Sequence, residues 1–133
     1  MRAIDTNVVV RLLLRDDPAK IKSIDALVAG GDLFVPLTVL IETEWVLRAV
    51  YGLTRKDVAT LITELTTIEG VMVEEAGRVA WCCARHADGA DFTDMIHLLA
   101  SGDANAFVTL DKRFRRQAGP DAPVSVELLA NAK

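Results

Sequence analysis

Leu33-Phe34-Val35-Pro36-Leu37-Thr38-Val39-Leu40-Ile41-Glu42-Thr43-Glu44-Trp45 is the stretch that decides the fold. Leu33-Phe34-Val35 reads as a short buried strand, closed by Pro36, which has no N–H to extend a ladder. Thr38 reads as the cap of a helix that runs to about Tyr51, where Gly52 stops it. A strand that feeds a helix is the repeating step of an α/β chain, and the alternation recurs on both sides of this stretch. Upstream, Ala3-Ile4 is a very short strand and Asp5-Thr6-Asn7 supplies cap-type residues for a helix over 8–15. Asp16-Asp17-Pro18 breaks that helix and starts another, with Ile21, Ile24, Leu27 and Val28 on one face, ended by Gly30-Gly31.

Downstream, Thr54-Arg55-Lys56-Asp57 opens a helix to about Thr67. Val71-Met72-Val73 is a strand, and Glu74 to about His86 is helical. A turn follows over 87–90, and Asp91 starts a helix to about Ser101. Phe107-Val108-Thr109 is a strand that delivers Asp111, 112–117 is a short helix, and Val124-Ser125-Val126 is a last strand. Strands separated by helices predict an α/β fold, a parallel sheet with helices on both faces. In such sheets function gathers at the carboxyl ends of the strands. Asp5 and Asp111 both sit there.

A chain of 133 residues is read as a single domain, 1–133. Half its residues are hydrophobic (51%), which excludes a disordered chain. The net charge of −4 argues against a basic nucleic-acid coat protein. It does not argue against a nuclease built on carboxylates, whose site is acidic until a cation fills it. The adjacent Cys82 and Cys83 have neither metal nor redox spacing and read as core thiols in a reducing cytoplasm. Met1-Arg2-Ala3-Ile4-Asp5 is no signal peptide, since an acid interrupts it, and the apolar run over 8–14 is too short to span a membrane.

Four acids stand out. Asp5 and Asp111, taken singly, read as helix caps. Glu42 shares a predicted helix face with Val39, Trp45 and Val46, a face expected to point inward, where a carboxylate needs a cation or hydrogen bonds. Glu44 is expected to face solvent. Asp94 heads the apolar helix that begins at Met95, and Asp91, three residues earlier, lies on the same first turn. Two like charges so close favour a divalent cation between them. His97 could face the same region, but reads as a packed or hydrogen-bonded helix histidine. Thr6 and Thr109 have hydroxyls placed to orient a carboxylate or a water. Hard oxygen donors without a His pair favour Mg²⁺ or Mn²⁺ over zinc. Such sites equip a protein for in-line attack on a phosphodiester. Lys112, Arg113, Arg115 and Arg116 surround Phe114 and are candidates for holding RNA phosphates while the ring stacks on a base. Arg11, Arg15 and Arg48 are further candidates for that role, or alternatively for pairing with acids of a protein partner.

Four pieces resemble the PIN-domain ribonucleases of the kind found as VapC toxins in bacterial toxin–antitoxin pairs. They are Ile4-Asp5-Thr6-Asn7, Val39-Leu40-Ile41-Glu42 with Glu44-Trp45-Val46-Leu47-Arg48, Ala90-Asp91-Phe92-Thr93-Asp94, and Val108-Thr109-Leu110-Asp111-Lys112. Each piece is weak alone. Their order and separations, from Ile4 to about Val126, make the pattern specific. The resemblance implies a three-layer α/β/α sandwich with a central, mostly parallel sheet of four to five short strands. It implies a Mg²⁺- or Mn²⁺-dependent endoribonuclease, with Asp5 and Asp94 as principal metal ligands. Glu42 would bind or position metal and water, Asp111 would complete the site, and Asp91 is an additional acid. It further implies an RNA substrate (tRNA, rRNA or mRNA), a cognate antitoxin that blocks the site, and a homodimer.

Two other functions remain open on the sequence. A phosphatase of the aspartyl-phosphate type would use Asp5 after a strand, but wants an acid where Asn7 stands. A non-catalytic PIN module would hold RNA or a partner through a relict site, although the acids are intact.

Overall fold

The computed structural model describes residues 1–129. They form a mixed α/β fold with seven α-helices, one π-helical turn and five short strands, every strand pair parallel. The chain divides into two compact units, Met1–Ala76 and Gly77–Lys133.

In the N-terminal unit the strands β1 (Arg2–Ala3), β2 (Leu33–Val35) and β3 (Val71–Val73) form one sheet in that order, with Leu33 opposite both Arg2 and Val71. Leu33 and Val35 are fully buried. Each strand is three residues or fewer, because a helix or cap begins at once after it. After β1, Asp5 caps α1 (Thr6–Leu14), its carboxylate accepting from the Thr6 N–H at 2.8 Å. The helix therefore starts two residues before the sequence reading placed it. Arg15 closes it in the left-handed conformation. Asp17 caps α2 (Pro18–Ala29), with proline at the first position, where its missing N–H costs nothing.

After β2, α3 (Leu37–Trp45) runs into a π-helical turn (Val46–Val50). Its start corrects the sequence reading. Pro36, not Thr38, occupies the cap position, and proline has no side chain to cap with. Glu74, just past β3, supplies the missing acceptor: its Oε1 takes the Leu37 N–H at 2.9 Å. α4 (Arg55–Leu65) is capped by Thr54, whose hydroxyl accepts from the Asp57 N–H, as its capping-box pattern predicts. Its face of Val58, Ala59, Ile62 and Leu65 is buried. Gly70 is held to glycine twice over: φ is +87°, and an added Cβ would sit 3.1 Å from the Gly31 Cα and the Val28 carbonyl oxygen.

The C-terminal unit carries α5 (Ala76–Ala87), α6 (Phe92–Ala100), β4 (Phe107–Thr109), α7 (Lys112–Ala118) and β5 (Val126–Leu128). β4 and β5 pair in parallel as a second sheet. β5 lies two residues later than the expected 124–126, since Val124 is buried ahead of the strand. The core here is Val79, Cys82, Cys83, Phe92, Met95, Ile96, Leu98, Leu99, Phe114 and Ala118. Both cysteines are core thiols, as expected, and burial pushes Cys82 up to about 12, with Cys83 adding to the rise. Among the described residues, no helix is long and apolar enough to cross a membrane.

Candidate active site

The carboxylates singled out in the sequence fall into two sets, one in each unit. In the N-terminal unit, Asp5 leaves the carboxyl end of β1 and caps α1. The next residue, Thr6, is buried, and its hydroxyl donates to Glu42 Oε1 from α3. This bond holds Glu42 beside the first turn of α1.

Glu42 does not lie on the buried face of α3 that its apolar neighbours in the sequence predict. Glu42 is exposed, and so is its neighbour Trp45, at 54%. The buried face of α3 is formed by Leu37, Leu40, Thr43 and Glu44, continued by Leu47 in the π-helical turn. Glu44, expected in solvent, is the buried acid at 4% exposure, held by the Arg48 Nε at 2.7 Å. A glutamate four residues before an arginine on a helix carried that signal in the sequence.

In the C-terminal unit, Asp91 caps α6, its Oδ1 accepting from the Asp94 N–H at 3.0 Å. Asp94 stands on the first turn of that helix, half-buried. Asp111 caps α7 by accepting from the Arg113 N–H at 2.8 Å, while its own N–H donates to the Thr109 hydroxyl at 3.1 Å. Thr109 therefore shapes the turn that presents Asp111. Electrostatics ties this set together. Burial raises the Asp94 pKa above the ordinary carboxylate value; repulsion from Asp91 raises it too, and so does Asp111, while His97 lowers it. His97 is exposed rather than packed, so it faces this charge from the open side.

The four cations of α7, Lys112, Arg113, Arg115 and Arg116, are exposed. Phe114 is not among them: it is buried and stacks on Phe107, ring centroids 5.0 Å apart and planes within 6°. Base stacking on Phe114 is thereby excluded, because the ring faces the core.

The donor set fits a hard divalent cation. Every candidate ligand is a carboxylate oxygen, and no thiolate stands among them. The mutual repulsion that raises Asp94 is the kind a divalent ion relieves. Among the described residues, no three His, Cys, Asp or Glu side chains are grouped tightly enough to hold an ion already.

No curated protein and no solved structure matches the chain. The family model described as PIN domain matches residues 3–120. That span takes in Asp5, Glu42, Asp91, Asp94 and Asp111, and the chain belongs to the PIN domain family.

Proposed function

We propose that this protein is a Mg²⁺- or Mn²⁺-dependent endoribonuclease acting as the toxin of a toxin–antitoxin pair. The observation that carries the reading is Asp94, a half-buried carboxylate on the first turn of α6 whose burial and like-charged neighbours Asp91 and Asp111 oppose its ionisation. Family membership supports the nuclease class. The reading assigns Asp5 and Asp94 as principal metal ligands, with Glu42 and Asp111 completing the site and Asp91 as an additional acid.

When bound, the metal supplies a water of lowered pKa and neutralises charge at the phosphorus. The remaining work falls to side chains of this chain. The Thr6 hydroxyl engages Oε1 of Glu42, which leaves Oε2 to accept a hydrogen bond from the attacking water and aim it. Asp111 is held by Thr109 and by the start of α7, so its second oxygen is presented in a fixed direction. Water adds to phosphorus, the P–O3′ bond breaks, and the 3′ oxygen leaves and takes up a proton. The products are a 3′-hydroxyl and a 5′-phosphate. Lys112, Arg113, Arg115 and Arg116 hold flanking phosphates. Partners in this reading are an RNA (tRNA, rRNA or mRNA), a cognate antitoxin that occupies the site, and a second copy in a homodimer.

The test is incubation of purified protein with RNA and Mg²⁺ or Mn²⁺, next to the Asp5→Asn and Asp94→Asn variants. Metal-dependent cleavage that falls about 10²-fold or more in each variant is expected, the usual cost of losing a charge-stabilising group. Equal cleavage by a variant and its parent would remove that residue from the site. Release of phosphate from small phosphomonoesters with RNA untouched would favour the aspartyl-phosphate phosphatase. Metal titration without binding would favour the non-catalytic module.

A further inference from the structure

The N-terminal unit has a cleft of about 270 Å³ lined by Asn7, Val8, Arg11, Lys20 and Ile24. Asn7 and Arg11 lie one turn apart on α1, and Lys20 comes from the first turn of α2. The walls therefore carry two cations and an amide over an apolar floor of Val8 and Ile24. Lys20 makes no ion pair among the described residues. Arg11 is only partly engaged. Its Nη1 reaches Asp16 at 3.2 Å and the Tyr51 hydroxyl at 3.4 Å, while Nε and Nη2 make no hydrogen bond among the described residues. An unpaired ammonium beside the free donors of a guanidinium is the arrangement that binds a phosphate oxygen pair.

The position of the cleft selects the phosphate. Asp5 caps the helix that carries Asn7 and Arg11, so the cleft begins within two residues of a carboxylate assigned to the reaction. From Asp5, Arg11 is about 9 Å along the helix axis at 1.5 Å per residue. That distance is too long for the scissile group itself and suits a neighbour on the same strand. We propose that Arg11, Lys20 and Asn7 form a subsite for a backbone phosphate of the RNA next to the scissile one. The inference rests on the ribonuclease reading and adds to it the residues that set the register of the strand. A carboxylate on an acidic protein partner would use the same donors. The continuity with Asp5 favours RNA.

The experiment measures binding of a fluorescent single-stranded RNA across a KCl series. The catalytically disabled Asp94→Asn protein serves as parent, with Lys20→Ala, Lys20→Arg and Lys22→Ala added to it. Both sites are exposed, so folding is preserved, and circular dichroism confirms it for each variant. Loss of one phosphate contact should lower the slope of log K against log salt by about 0.7 for a single strand. Lys20→Ala should show that drop with several-fold weaker binding. Lys20→Arg should restore the parental slope, and Lys22→Ala, outside the cleft, should leave it unchanged. A Lys20→Ala slope and affinity equal to the parent's would overturn the subsite, as would an equal drop in Lys22→Ala. Absence of RNA binding and of cleavage by the unmodified protein would sink the ribonuclease reading, and the subsite with it.

Discussion

At the scale of the residue, Asp94 differs from the other candidate acids in what surrounds its charge. Asp5, Asp91 and Asp111 each accept a backbone N–H at a helix start, satisfying a donor the helix leaves without a partner. Asp94 is the one whose burial and neighbours oppose ionisation. Its folded-state pKa lies above the unfolded one, so between those two values the metal-free folded protein binds more proton there than the unfolded chain does. Its contribution to stability is full below the ordinary carboxylate pKa and is lost as pH rises through the raised value. Asp94→Asn removes that loss. The metal-free variant should therefore melt at or above the parent at pH 7, and the difference should shrink as pH falls below the ordinary carboxylate value. A variant that melts well below the parent at pH 7 would contradict this. Thr6→Val makes a second case. The exchange keeps the shape and removes the hydroxyl that orients Glu42, and loss of such a supporting group costs about 10- to 100-fold in metal affinity or activity. RNA cleavage rates at saturating Mn²⁺ and the metal titration together would separate the two effects.

At the scale of the element, legibility in the sequence depended on how one-sided each pattern is. The strands at Leu33–Val35, Val71–Val73 and Phe107–Thr109 were readable to the residue, since each is a short apolar run between turn or cap residues. α3 was readable as a helix but not in its rotation. Val39, Trp45 and Val46 make one apolar stripe, and Leu37, Leu40 and Leu47 make another nearly opposite. Periodicity cannot choose between two apolar stripes. Packing buries the second, and the acid that goes inward is Glu44, which Arg48 neutralises. Glu42 therefore stands on the outward face of α3, and the inward position expected of it belongs to Glu44. The start of α3 was unreadable for another reason: its cap comes from Glu74, far along the chain. The rotation has a direct test. Leu40→Ala should cost about 2–5 kcal/mol, the range for deleting a buried leucine, because Leu40 is fully buried. Trp45→Ala, at a half-exposed site, should stay within about 0.5 kcal/mol. Urea midpoints that reverse this order would restore the face expected from the sequence.

At the scale of the whole molecule, the question is whether the carboxylates of the two units serve a single ion. The family span from residue 3 to 120 takes in both sets. The proposed chemistry needs Asp5 from one and Asp94 from the other. Coupling of this kind is measurable without reference to geometry, by a double-mutant cycle. An ion that binds only the folded protein raises its stability by RT ln(1 + [L]/Kd), about 2.7 kcal/mol at a hundredfold excess over Kd. If Asp5 and Asp94 hold one ion, either Asn substitution should abolish most of the Mn²⁺-induced rise in melting temperature. The double variant should then lose little more than each single one. Separate ions on the two sets would give additive losses, with each single variant keeping about half of the rise. Cleavage rates should follow the same rule, because residues that act as one unit are strongly non-additive in kinetics. Additivity in both measurements would leave two independent cation sites and remove the shared ion from the proposed mechanism.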